Sequence, residues 1–134
     1  RWFLFFAIAM GFFTGCKSVP TCEVKSNFET GEKKEERCTL DNQTTHTEFY
    51  QGGNIYMQGD IKEGELREGT WQSFYEDGTL WSEHHYLDGV KDGAYKVFWP
   101  NGNDRIMGQY AKGQEIGLWK FFDQDGVIVQ EKQF

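Results

Sequence analysis

Proline and cysteine are scarce in this chain, with two prolines and three cysteines in 134 residues. No proline-rich linker divides residues 46–134, and no helical spacing of apolar residues interrupts them, which argues for one continuous unit. Pro100 falls at a turn, where its missing N–H matters little. Positive charge is also short: 14 Lys and Arg stand against 21 Asp and Glu, for a net charge of −7. That balance disfavours nucleic acid and anionic lipid headgroups, both of which select basic patches. Long hydrophobic runs are missing too. The uncharged stretch Trp2–Phe13 is shorter than the roughly 20 apolar residues of a membrane span. No glycine-rich loop joins a strand to a helix, so nucleotide binding has no support, and no CxxC spacing suggests redox chemistry. The expectation is a chain without cofactor, metal or small-molecule substrate, and not an enzyme.

What is present begins at the N-terminus. WFLFFAIAMGFF has the length of a signal-peptide hydrophobic region, and small residues follow it. Phe13-Thr14-Gly15-Cys16 then resembles a bacterial lipobox, with Phe13 in place of the usual Leu. The resemblance implies a signal peptide over residues 1–15, a lipidated Cys16 and a short linker over 16–21. Membrane attachment would come from acyl chains on Cys16. Lys17 stands where an Asp favours inner-membrane retention in some bacteria, so the expected location is the bacterial envelope at the outer membrane. In that oxidising setting Cys22 and Cys38 are expected to pair. Thr30-Gly31 supplies a turn, and pairing residues 22–28 with 32–38 puts Cys22 opposite Cys38. A bridge there contributes about 3 kcal/mol on the loop-entropy model.

Residues 22–134 are dominated by repetition. Gly69, Gly93 and Gly117 lie 24 apart, as do Trp71, Tyr95 and Trp119. The same step relates Phe74, Phe98 and Phe122, then Gly78, Gly102 and Gly126, then Tyr86, Tyr110 and Phe134, with Gly89 and Gly113 as a further pair. Residues 69–134 carry the clear copies, 44–68 a weaker one and 22–41 a decayed one. A fixed period over this many positions is the mark of a repeat array.

Each unit reads as a β-hairpin. Asp77-Gly78, Asn101-Gly102 and Asp125-Gly126 suit two-residue type I′ turns. That register sets Trp71 against His84, Ser73 against Ser82, Tyr75 against Leu80 and Gly69 against Tyr86. It also sets Gly93 against Tyr110 and Gly117 against Phe134. The expectation is that each recurring aromatic covers the bare backbone of the recurring glycine opposite. Asp88-Gly89 and Asp92-Gly93 are expected to bend the chain between hairpins. The predicted fold is all-β: an antiparallel meander of about 8 to 10 strands, each unit stacking on its neighbours.

The pattern G-x-W/Y-x-x-F-x-x-x-G followed by Y-x-x-G-x-x-x-G is similar to MORN repeats. It resembles most closely the bacterial variant catalogued as antitoxin-like repeats. The resemblance implies a hairpin sheet used for protein binding or scaffolding without catalysis, and the antitoxin label implies neutralisation of a toxin in the cytoplasm. No binding residue carries over, because the shared positions are structural.

Few side chains suggest chemistry. His84 and His85 point to opposite faces of a strand and cannot share a metal. Asp123-Gln124-Asp125-Gly126 resembles the opening of a calcium loop, but Phe134 stands where the twelfth-position Glu belongs. Ser73 and Ser82 have no base within obvious reach. The alternation of strands places Trp71, Tyr75, Tyr95, Trp99, Trp119 and Phe121 on one face and Phe74, Trp81, Phe98 and Phe122 on the other. Trp99, beside Pro100, is the expected centre of a partner-facing patch with Tyr75 and Phe121. The reading at this point is a lipid-anchored interaction or scaffolding module; an antitoxin-like binder and an envelope glycan-binding protein are the alternatives.

Overall fold

In a computed structural model, which describes residues 18–134, ten strands form one antiparallel sheet in sequence order. They are β1 (Thr21–Asn27), β2 (Lys33–Leu40), β3 (Gln43–Phe49), β4 (Ile55–Lys62) and β5 (Leu66–Phe74). Then follow β6 (Leu80–Leu87), β7 (Val90–Phe98), β8 (Asp104–Ala111), β9 (Gln114–Phe122) and β10 (Ile128–Gln133). A three-residue 3-10 turn, Glu63–Glu65, sits between β4 and β5. The all-β meander is therefore the observed fold. The proposed signal segment and Cys16 lie outside the described residues.

The decayed segment is a full hairpin. β1 pairs β2 with Cys22 opposite Cys38, and the two sulfurs are joined. Its tip also matches the others: the Gly31 N–H donates to Phe28 C=O, as Gly53 does to Tyr50, Gly78 to Tyr75, Gly102 to Trp99 and Gly126 to Asp123.

Those tips are not the predicted type I′ turns. The Tyr75 N–H donates to Thr79 C=O, and at the tip Gly78 has positive φ while Asp77 does not. This is a type I turn followed by a left-handed glycine, with the register slipping between Ser73 and Phe74. The aspartate explains the choice. Its Oδ1 accepts the Thr79 N–H at 2.9 Å, as Asn101 Oδ1 accepts the Asn103 N–H at 3.0 Å, and this bond suits an Asx turn. The slip has a second effect. Phe74, not Tyr75, pairs with Leu80, and Trp81 is left over as the bulged residue. Trp81 then packs on Tyr75 at 6.0 Å and lines the same cavity as Trp71, so it does not occupy the opposite face.

The type I′ turns lie at the other ends of the strands. Asp88-Gly89, Lys112-Gly113 and Asp41-Asn42 all have positive φ at both residues. Asp92-Gly93 makes no bend, because it lies inside β7. There the register jumps from His84↔Tyr95 to Tyr86↔Lys91, and similar jumps occur in β5 and β9. Gly69, Gly93 and Gly117 mark these bulges, with φ of +65°, +115° and +68°. A Cβ at Gly69 or Gly117 would meet nothing within 4 Å. No ring stands where a side chain on Gly69 or Gly117 would be, and Gly93 meets His85 and not Tyr110, which corrects the expected aromatic cover. They recur because the bulge needs a left-handed residue, which glycine supplies at least cost.

The described residues form a single layer, and burial is correspondingly thin. Trp71, Val97 and Trp119 are the buried hydrophobics, with Trp71 and Trp119 only 5% and 4% exposed. The polar row Gln72–Glu83–Lys96–Met107–Lys120–Glu131 runs across the sheet next to them, and strand alternation puts it on the other face.

Candidate functional site

One row of paired residues crosses the sheet and builds the aromatic face. It runs Arg37, His46, Gly59, Trp71, His84, Tyr95, Gly108 and Trp119. Every aromatic in it leans toward the preceding hairpin. Trp71 lies across Gly59 and reaches His46 at 5.6 Å; Trp119 lies across Gly108 and reaches Tyr95 at 5.2 Å. A side chain on either glycine would collide with the ring. In the middle copy the pair is different in size: His84 replaces the glycine, Tyr95 replaces the tryptophan, and the two rings sit 4.6 Å apart. Large over nothing, or medium over medium, fills the same space.

Polar bonds staple hairpin to hairpin near the tips. The Tyr50 hydroxyl donates to Phe74 C=O and the Tyr75 hydroxyl to Phe98 C=O, both at 2.9 Å; the Trp99 indole donates to Phe122 C=O at 3.0 Å. Arg105 covers the Trp99 ring at 4.4 Å. Tyr75 and Trp99 are thus half-buried rungs of one ladder with their polar atoms committed, and Phe121 is half-buried beside the last acceptor. The recurring pattern in which these bonds repeat is itself a reason for the period of the sequence.

A cavity of about 250 Å³ opens on the aromatic face between β4 and β7. Trp71, Trp81 and Tyr86 form its walls, and Ser82 and Val97, both buried, lie at its floor. Arg67 stacks on Trp71 at 4.1 Å and donates to the Tyr86 hydroxyl at 3.3 Å. Arg67 was not singled out by the sequence reading, although Lys91 stands one repeat later and lies over Tyr95 and Tyr110 at 5.2 and 5.0 Å. The 24-residue step between these two cations was the available signal.

His84 lines this cavity, and burial pushes its pKa down to about 4, with Lys91 and Arg67 adding to the effect. It is neutral in the fold at pH 7. The unfolded chain takes up the proton near the ordinary pKa of 6.5, so stability is undiminished above that pH and falls as pH drops toward 4. The full linkage would be about 3.4 kcal/mol, reduced to about 1–2 kcal/mol because the ring is only partly buried and solvent screens it. Urea titrations at pH 7 and pH 4 are expected to show this loss in the wild type relative to His84→Asn; parallel pH profiles would refute it.

Among the described residues, the cluster with metal-like spacing is Cys22, Glu36 and Cys38. Its sulfurs are joined to each other, which leaves no thiolate for an ion. No helix among the described residues is long and apolar enough to cross a membrane.

The family described as MORN repeat variant matches residues 67–88 and 115–134.

Two of the five hairpins match this repeat. The first match covers β5 and β6 with their tip, and the second covers β9 and β10. The β7–β8 hairpin between them has the same tip bond and the same left-handed bulge glycine, and its Trp99 indole bonds the next hairpin as the Tyr75 hydroxyl does from β5–β6. No curated protein and no solved structure matches the chain. A MORN repeat suggests a protein or membrane interaction module, and the family is generally non-enzymatic.

Proposed function

We propose that this chain is a non-enzymatic, lipid-anchored envelope protein whose MORN-type hairpins present their aromatic face to a protein partner. The observation that carries the reading is the asymmetry of the sheet: one face carries an aromatic row and the other a mainly polar row of both charges around Met107, with no second layer among the described residues. Half-exposed rings on a rigid sheet offer large contact area at small ordering cost, as interface aromatics do. The lipobox-like Phe13-Thr14-Gly15-Cys16 supports the anchor.

Two measurements on the full chain in cells test this. Labelled palmitate should enter the wild type and follow the membrane fraction, and Cys16→Ala should abolish the label. A photo-crosslinking residue at Tyr110, on the aromatic face, should trap one discrete adduct, and the same residue at Lys96, on the polar face, should not. Label independent of Cys16 removes the anchor, and adducts from both faces or neither remove the docking face. A soluble cytosolic protein without label would favour the antitoxin-like alternative.

A further inference from the structure

We propose that the cavity beside Trp71 binds a monosaccharide bearing a carboxylate, with the sugar ring between the aromatic walls and the carboxylate on Arg67. This goes beyond the interaction-module reading, which stands whether or not the cavity is a sugar site.

Size comes first. At about 250 Å³ the cavity is smaller than the roughly 300–1,000 Å³ of drug-sized sites, which suits a single ring. Its walls come next. Trp81 and Tyr86 are only partly buried and offer flat π faces, which pack against the C–H face of a pyranose as they do against other apolar surfaces. Trp71, with Gly59 beneath it and Arg67 above it, lines the site without a free face. The floor carries hydroxyls beside Val97: Ser82 is 6% exposed and pairs with Ser73, and both line the cavity. A wholly apolar occupant would leave those hydroxyls without water or partner, which is costly; a ring edged with hydroxyls would satisfy them.

Charge selects the acid. Arg67 makes no ion pair among the described residues, in a chain with an excess of acidic groups. Its guanidinium bonds are a long one to the Tyr86 phenol and a weak one to Met57 Sδ at 3.6 Å. A guanidinium has five N–H donors in a planar fork that matches a carboxylate at two points, so Arg67 retains capacity for one. Lys91, one repeat along, adds positive field over the same face. The neutral His84 registers that field, since both cations help keep its proton off.

The test titrates the full protein with glucuronic acid, glucose and a short glutamate-containing peptide, read by calorimetry. Glucuronate is expected to bind saturably and glucose about tenfold more weakly, as loss of a charge-assisted pair implies. Arg67→Met, which keeps the stem on Trp71, should lose about tenfold in glucuronate affinity with unchanged circular dichroism, and Arg67→Lys should recover part of it. Independently of any variant, glucuronate should shift the indole N–H resonances of Trp71 and Trp81 and leave that of Trp99 in place. Equal affinity for glucose, undiminished binding by Arg67→Met, shifts centred on Trp99, binding of the peptide alone, or no binding up to about 10 mM would each overturn the proposal.

Discussion

Truncating Trp71 to alanine is expected to cost about 3–5 kcal/mol, the range for deleting a large buried aromatic. Trp71 is 5% exposed in a sheet with almost no other core. Its indole donates to Asp60 C=O at 2.9 Å, its face carries Arg67, and its body fills the space above Gly59. Arg67 lies on β5 itself, but the bond to Asp60 and the packing over Gly59 join β5 to β4, so the loss should fall mainly on one hairpin boundary. In a repeat array each unit is stabilised chiefly by its neighbours, and weakening one boundary uncouples the two sides. Native-state hydrogen exchange should therefore show β1–β4 amides losing protection in Trp71→Ala while β7–β10 amides keep most of theirs. Uniform loss along all ten strands would show that the sheet opens as one unit and would remove this account. Trp99→Ala, at a half-buried tip with one indole bond and one stacked arginine, should cost less, about 1–2 kcal/mol.

Gly108→Ala is expected to cost about 3 kcal/mol, and Gly117→Ala only about 1–2 kcal/mol, although Gly117 is the one that recurs in the sequence pattern. The added methyl at Gly108 meets the Trp119 ring, which must leave its place or push the strand aside. At Gly117 the methyl meets open space, and the cost is the strain of φ +68°. Chemical denaturation of the two variants decides the order. The chain also contains its own remedy: where His84 stands for the glycine, the ring above is Tyr95. Gly108→His alone should be severely destabilised, and Gly108→His with Trp119→Tyr should recover about 1–2 kcal/mol as a coupled pair. Additive losses in that cycle would mean that ring and residue do not share the space.

The period of 24 was enough to assign hairpins, their order and much of their register, because the same residue types must return wherever the same backbone shape returns. Trp71↔His84 and Gly69↔Tyr86 pair as the Asp77-Gly78 tip implies, and Cys22↔Cys38 as the Thr30-Gly31 turn implies. The tip turns were misjudged at Asp77-Gly78, where a dipeptide compatible with two turn types was settled by a side-chain bond to Thr79. One extra residue then carried Trp81 around to the Tyr75 side. Of the expected binding residues, Tyr75 and Trp99 prove to be rungs between hairpins, a duty visible only once Phe98 and Phe122 offer their carbonyls.

Alone, the sequence determined the repeating all-β architecture, the disulfide partners and the acidic character of the chain. These depend on spacing and composition, which are properties of one dimension. Only the tertiary structure decided which glycines lie under tryptophan, which face holds the rings, and that Arg67, Trp81, Ser82 and Tyr86 meet around one cavity. Those four come from two strands and are brought together by a bulge. A bulge changes which residues face each other without changing the period, so repetition cannot reveal it.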